Sequence, residues 1–98
     1  MSFSMSKSQK KFSEEIEKSF KNVQILLQGM INDRSVPRNI KRIATQGIRI
    51  IEEKADTQGI VASNVLYLVQ DLSQDPNIPF AARTTIYRII SVLETIKD

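Results

Sequence analysis

Four basic residues are the part of this chain whose types and spacing best suit binding chemistry. They are Arg38, Lys41, Arg42 and Arg49, called here the basic stripe. On a helix that turns about 100° per residue, the three arginines fall within about 40° of one another and the lysine lies beside them. Each guanidinium offers a planar fork of donors that suits phosphate or carboxylate groups. The pattern therefore predicts a surface for an anionic partner.

Three interpretations of the basic stripe are open. It can be a solvated helix face whose charges pair with Glu52, Glu53 or a neighbouring hairpin. It can dock a protein or an acidic peptide. It can also bind nucleic acid weakly and with strong salt dependence, although no aromatic residue within the stripe could stack on a base. The segment "KSQKK" near the start of the chain would add positive charge to such binding.

The composition removes the commonest catalytic and metal-binding side chains, because the 98 residues include no histidine and no cysteine. Zinc sites, Ser-His-Asp triads and thiol nucleophiles are therefore excluded. No pair of carboxylates falls on an apolar helix face, where burial could raise a pKa for acid catalysis. Tyr67 and Tyr87 are expected in the core or at its rim, with hydrogen-bonded hydroxyls. We expect no enzymatic activity, no cofactor and no metal.

The length of the chain indicates one small domain. Its charge is unevenly distributed along the sequence. Residues 1–55 carry 11 Lys and Arg against six Asp and Glu, whereas residues 56–98 carry three against five. This asymmetry is compatible with an acidic partner for the first half. No apolar run approaches the roughly 20 residues of a membrane span. We expect a cytoplasmic protein that does not contact a membrane.

Apolar residues with helical spacing predict four helices and no strands. The first carries Phe12, Ile16, Phe20, Val23, Leu27 and Met30, and it begins at Ser13 or near Ser8. In the second, Gly47 lies in the middle of the apolar face, where a missing side chain lets another helix approach.

The third and fourth helices are more apolar than the first two. The third follows Asp56 or Thr57. Its apolar stripe consists of Val61, Val65, Leu68 and Leu72, and it is widened by Ile60, Leu66, Tyr67 and Val69. We therefore expect this helix to be heavily buried. The fourth runs from Pro79 to near Lys97. Its stripe is Ile86, Ile89, Ile90, Leu93 and Ile96, with Phe80 and Tyr87 alongside.

An internal repeat of 42 residues organises these helices. A shift by 42 pairs residues 19–56 with 61–98, and nine of these 38 pairs are identical. Because each unit holds two helices and a turn, the sequence predicts two tandem αα hairpins, at about 13–54 and 56–97. Residues 1–12 are predicted to be a flexible basic arm before a single domain over 13–98. The all-α fold predicted is a four-helix bundle, with a short HEAT-like right-handed array as the alternative.

The repeat includes a turn motif, "DRSVP" at residues 33–37 and "DPNIP" at 75–79. We expect each aspartate where the first helix of its hairpin ends, and each proline in the first turn of the second helix, where its missing N–H costs nothing. The intervening polar residues suit helix caps. A shared metal or acid–base site is the other interpretation, but adjacent helical units hold equivalent points too far apart for one ion. The structural residues predicted are Asp33, Ser35, Pro37, Asp75, Asn77 and Pro79.

The stretches "DRSVPRNIKR" and "DPNIPFAART" resemble a small archaeal family of uncharacterised helical proteins, described only as a family of unknown function. The resemblance covers about residues 13–97. It implies four packed helices and an archaeal, cytoplasmic protein, and it implies no activity, cofactor or substrate. The positions that match are Asp33, Arg34, Ser35, Val36, Pro37, Arg38, Asn39, Asp75, Pro76, Asn77, Ile78, Pro79, Ala82, Arg83 and Thr84.

These observations favour a non-catalytic helical interaction or adaptor module that binds another protein or itself. A homodimer is suggested by the apolar character of the third helix. Weak, salt-sensitive binding of nucleic acid through the basic stripe is the alternative function.

Overall fold

Four helices make up the part of the chain that the computed structural model describes, residues 12–98. They are α1 (Glu14–Ile31), α2 (Arg38–Glu53), α3 (Gln58–Ser73) and α4 (Phe80–Leu93). No strand occurs within this range. The predicted all-α fold is confirmed. None of the four helices is long and apolar enough to cross a bilayer.

The first helix begins at one of the two predicted positions. The Ser13 hydroxyl accepts a hydrogen bond from the backbone N–H of Ile16 at 3.2 Å, and three glutamates occupy the first turn, near the positive end of the helix dipole. Phe12 is buried, with its ring centroid 5.4 Å from that of Phe20. Phe12, which was predicted to belong to a flexible arm over 1–12, is therefore part of the core. The other residues of that predicted arm lie outside the described residues.

The four helices close into a ring in which α1 packs against α2, α2 against α3, α3 against α4 and α4 against α1. The last of these contacts joins the two hairpins along their open sides. It gives the predicted four-helix bundle rather than the HEAT-like array, because a stack of hairpins leaves the first and last helices apart. Helices α2 and α4 are diagonal partners in this ring, so their outward faces point in opposite directions.

The core lies along the bundle axis and takes one stripe from each helix. Its fully buried side chains include Phe20, Leu27, Ile40, Val65, Ile86 and Ile89. Gly47 lies among them. A Cβ at this position would stand 3.2 Å from Leu27 Cδ1 and 3.6 Å from Val65 Cγ1, so the glycine lets α2 approach both α1 and α3.

The third helix is only partly as predicted: it has six buried residues, more than any other of the four helices, but it is not buried on every side. Its inner side chains include Val61, Val65 and Val69, but Tyr67 is 74% exposed and Ile60 is 43% exposed. The fourth helix also differs, because it ends at Leu93 and the buried Ile96 follows in the terminal turn.

Candidate functional site

The two Asp/Pro motifs form the same turn at the same end of the bundle. Asp33 Oδ1 accepts a hydrogen bond from the backbone N–H of Ser35 at 2.9 Å, and Asp75 Oδ1 accepts one from the N–H of Asn77 at 2.8 Å. Each aspartate carbonyl then accepts from the N–H three residues later, at 3.2 Å in both turns. Val36 and Ile78, which supply these N–H groups, are buried beneath the turns. The motif therefore locks a tight connection between two helices.

The cap positions differ from those predicted. Pro37 and Pro79 are the N-cap residues of α2 and α4, with extended backbone conformations, and neither helix has a side-chain cap. Ser35 instead donates its hydroxyl to Asp33 Oδ1 at 2.7 Å. Ser35 and Asn77 lie two residues before the N-cap prolines, where their backbone N–H groups bond to the aspartates. They therefore do not cap α2 or α4.

The two aspartates do not form a joint acid–base or metal site. Asp75 accepts a long hydrogen bond of 3.4 Å from Asn39 Nδ2, which links the two turns, while Asp33 is satisfied by its own turn. The hydroxyl of Ser35, its backbone N–H and the nearby charge of Lys41 lower the pKa of Asp33 below its ordinary value. Within residues 12–98 no three carboxylates cluster closely enough to hold a metal ion.

The structure brings together three of the four residues of the basic stripe. Arg38, Arg42 and Arg49 are exposed on the outward face of α2. Lys41 is half-buried and lies towards Asp33. The interpretation in which this stripe pairs with Glu52 or Glu53 is not realised, because the ion pair found within residues 12–98 joins Lys54 to Glu17. The three arginines therefore present free guanidinium groups to solvent.

A second surface lies on the outward side of the second hairpin, and we call it the α3/α4 face. It is formed by eight exposed, uncharged residues, which are Ile60, Ser63, Tyr67, Gln70, Phe80, Thr84, Tyr87 and Ser91. Phe80 is 84% exposed and Tyr87 is 53% exposed. Four of the five large apolar side chains that are most exposed within residues 12–98 lie on this face, and Ile25 on α1 is the fifth. The face points away from the basic stripe.

Sequence reasoning missed this face, since it placed both tyrosines in the core or at its rim. Neither hydroxyl has a hydrogen-bond partner within the described range. One signal was available, because Tyr67 lies about half a turn of helix away from both Val65 and Val69. If those valines mark the buried side of α3, Tyr67 must point outwards.

A cleft adjoins the α3/α4 face, where the end of α4 meets the start of α3. Its volume is about 490 Å³, and its lining includes Ile60, Ser63, Leu66, Leu93 and Asp98. The Asp98 carboxylate lies at the N-terminus of α3, where it accepts hydrogen bonds from the N–H of Gly59 at 2.7 Å and from the Thr57 hydroxyl at 3.0 Å. Here the carboxylate caps a helix.

The Uncharacterised protein family (UPF0147) matches residues 5–96. The chain belongs to this family. The match confirms the resemblance drawn from the two Asp/Pro motifs, and it includes part of the segment predicted as an arm. A UPF0147 protein of Saccharolobus islandicus is 45% identical over 82 residues, which cover 84% of this chain and 92% of that protein. A UPF0147 protein of Sulfurisphaera tokodaii is 42% identical over the same length.

Two crystal structures resemble the bundle. A UPF0147 protein from Thermoplasma acidophilum has a TM-score of 0.77 and 27% identity, and the match covers 85% of this chain and 99% of that one. The unknown function protein MMP1188 has a TM-score of 0.79 and 32% identity, with 91% and 99% covered. The UPF0147 family is uncharacterised.

Proposed function

We propose that this protein is a non-catalytic interaction module that binds another protein or itself through the α3/α4 face. One observation carries the proposal: four large apolar side chains are exposed together among uncharged residues, with the charged Asp71, Arg83, Arg88 and Glu94 around them, in a chain of which 26% is charged. The centres of protein interfaces are depleted of charge and enriched in tyrosine and phenylalanine. The absence of histidine and cysteine from the sequence supports a role without catalysis.

A capture experiment with two matched variants tests this proposal. The full chain is immobilised, and an archaeal lysate containing a family member is passed over it. Tyr67→Lys places a charge in the middle of the α3/α4 face, whereas Ile25→Lys makes the same change on α1, at a residue that is 62% exposed. We expect Tyr67→Lys to lose the captured protein and Ile25→Lys to keep it. Equal capture by both variants, or a turnover activity that survives purification, contradicts the proposal.

Binding of nucleic acid through the basic stripe is a second candidate function. It is favoured by the exposure of Arg38, Arg42 and Arg49 without ion pairs inside the described range. Each duplex phosphate that is contacted contributes a slope of about −0.9 to log K against log salt concentration.

Replacing Arg38, Lys41, Arg42 and Arg49 with glutamine tests the second candidate. If the stripe contacts phosphates, the variant flattens the salt dependence of duplex binding. Its stability should stay within about 0.5 kcal/mol of wild type, because the three arginines are exposed and none of the four residues forms an ion pair in the described range. Negligible duplex binding by the wild-type chain at physiological salt contradicts this candidate. A large fall in melting temperature would instead identify these side chains as structural.

A further inference from the structure

We propose that the partner of the α3/α4 face is a second copy of this chain, in a two-fold symmetric dimer in which α3 runs antiparallel to its symmetry mate. This inference rests on the proposed function, because it names the occupant of the same face. Within that dimer, Arg83 of each copy pairs with Glu94 of the other. Three observations carry the arrangement: the charge of the face, the unused donors of Arg83 and the register between α3 and α4.

The charges around the face balance to zero, so a second copy can approach without net repulsion. Two arginines and two carboxylates border the eight uncharged residues, namely Asp71, Arg83, Arg88 and Glu94. None of the four forms an ion pair within residues 12–98. The opposite side of the bundle carries the basic stripe, where two copies would repel each other. Among the outward surfaces, the α3/α4 face is therefore the better suited to self-association.

Arg83 has hydrogen-bond donors that its own chain leaves unused. It lies half-buried between α3 and α4, with Nη2 at a marginal 3.5 Å from the carbonyl oxygen of Asp75. Its Nε is buried and has no acceptor among the described residues. Because Nε is buried, a second copy can reach this guanidinium only through its two terminal nitrogens, which suit a carboxylate that accepts two parallel N–H bonds. Glu94 of a second copy supplies one, because it is exposed at the far end of α4.

The register of the two helices brings these groups together. Arg83 and Glu94 are 11 residues apart, which corresponds to about 16 Å along α4. If the contacts of Asp75 with Arg83 and of Gly59 with Asp98 mark equal heights at the two ends of the hairpin, the midpoint of this interval lies level with about residue 69 of α3. A two-fold axis that crosses the helices at this height places Arg83 of each copy opposite Glu94 of the other, so the pair occurs twice.

The same axis passes within one helical turn of Tyr67, so the two Tyr67 rings meet near the centre of the interface. Asp71 then lies near the amide of Asn64 in the second copy. Arg88 approaches its own counterpart, but it is exposed at the edge nearer α1, where solvent screens the charges. Two helices about 24 Å long and 10 Å wide offer roughly 500 Å² in projection. Because stable interfaces bury about 800 Å² per partner, we expect a reversible, concentration-dependent dimer.

Sedimentation equilibrium of the full 11.2 kDa chain over a wide concentration range tests the dimer. The wild-type mass should rise towards twice that of one chain. Arg83→Glu alone and Glu94→Arg alone should each weaken the dimer at least about tenfold, because each leaves like charges opposed at two places. An equimolar mixture of these two variants should regain the dimer, since every contact in the mixed pair joins opposite charges. The double variant Arg83→Glu/Glu94→Arg should regain it too.

Two further variants guard against misfolding. Tyr67→Lys alters an exposed side chain and should abolish the dimer, with an unchanged melting temperature at concentrations where the wild type is monomeric, whereas Ile25→Lys should leave the dimer intact. A wild-type chain that stays monomeric, or charge variants that do not recover on mixing, would overturn the inference. If the wild type is monomeric but Tyr67→Lys still loses a captured protein, the dimer fails and the proposed function stands. If Tyr67→Lys changes neither association nor capture, both fail.

Discussion

At the scale of single residues, Lys54 shows how a side chain can hold an unfavourable backbone conformation. It ends α2 in the left-handed region, with φ 44° and ψ 47°, and is the one non-glycine residue with positive φ in the described range. Its ammonium group forms the ion pair with Glu17 and lies 5.5 Å from the centre of the Phe12 ring. These contacts tie the end of α2 to the start of α1 and offset the backbone strain.

Substitutions at Lys54 should separate the side-chain contribution from the backbone strain. Lys54→Ala removes the ion pair and the aromatic contact but keeps a Cβ in the left-handed region. Lys54→Gly removes the same contacts and relieves the strain, so it should be more stable than Lys54→Ala by about 1 kcal/mol. Urea unfolding of both variants measures this difference, with Glu17→Gln as the control that removes the ion pair alone. Equal stability of the two Lys54 variants would show that the left-handed conformation is not strained.

Asp33 should make folding stability depend on pH. Its pKa is lowered in the folded protein, first by the Ser35 hydroxyl and then by the Ser35 N–H and Lys41. Such a carboxylate contributes stability above its unfolded pKa of about 3.9, and that contribution is lost as the pH falls through the lower, folded pKa. The difference in unfolding free energy between wild type and Asp33→Asn should therefore shrink between about pH 5 and pH 2. Asp71→Asn is the control, because the Asp71 carboxylate accepts no hydrogen bond in the described range.

At the scale of elements, the N-terminus of α3 is held by the last residues of the described chain. Thr57 caps the helix, and the Asp98 carboxylate accepts from the N–H of Gly59 and the Thr57 hydroxyl, while Gln58 Nε2 donates to the Lys97 carbonyl at 2.6 Å. Carboxylates stabilise helix N-termini through the orphan N–H groups and the helix dipole. A Cβ on Gly59 would stand 2.8 Å from Asp98 Oδ1. The glycine therefore makes room for this cap.

A double-mutant cycle can test whether Gly59 serves Asp98. Gly59→Ala in the wild-type background should be neutral or destabilising, because the Asp98 carboxylate must move. In an Asp98→Ala background the same change should stabilise the protein by about 0.5–1 kcal/mol, the ordinary gain of alanine over glycine in a helix. Thermal or urea unfolding of the four proteins gives the coupling. Gly29→Ala is the control, because nothing lies within 4 Å of a Cβ at that exposed position. Additive effects at Gly59 and Asp98 would contradict the assigned role.

The elements that could be predicted from sequence are those with one clear apolar side or a strong turn. The Asp/Pro motifs located the connections because an Asx turn and a proline define local geometry without help from the rest of the fold. Helix α2 was oriented correctly, since its arginines and isoleucines lie on opposite sides. In helix α3 the predicted stripe of Val61, Val65 and Leu72 is buried, but its exposed side was not identified, because apolar residues surround the helix almost completely. Its buried side is decided by α2 and α4, so the exposure of Tyr67 is a property of the packed molecule.

At the scale of the whole molecule, contact between α1 and α4 decides between a closed bundle and an open array. The 42-residue repeat fits both, because each hairpin has the same internal design. In the closed bundle, Phe20, Leu27 and Ile40 of the first hairpin are buried together with Val65, Ile86 and Ile89 of the second. Neither hairpin has a core of its own. The sequence could predict the helical hairpin but not the closing of two hairpins into one bundle, because that depends on long-range packing between two faces that are both apolar.

Dividing the chain between Ala55 and Asp56 tests this closure. Because each hairpin alone would expose the residues that now form the shared core, we expect residues 1–55 and residues 56–98 to be largely unfolded as separate peptides, as a two-helix unit lacks enough buried apolar surface. Mixing them at concentrations above their dissociation constant should restore the helical circular dichroism signal and a cooperative melting transition. A mixture of residues 1–55 carrying Leu27→Asp with wild-type residues 56–98 is the control, and it should not recover, because the buried charge prevents docking. Stable helical structure in either isolated peptide would show that the hairpins fold independently, as units of an array can.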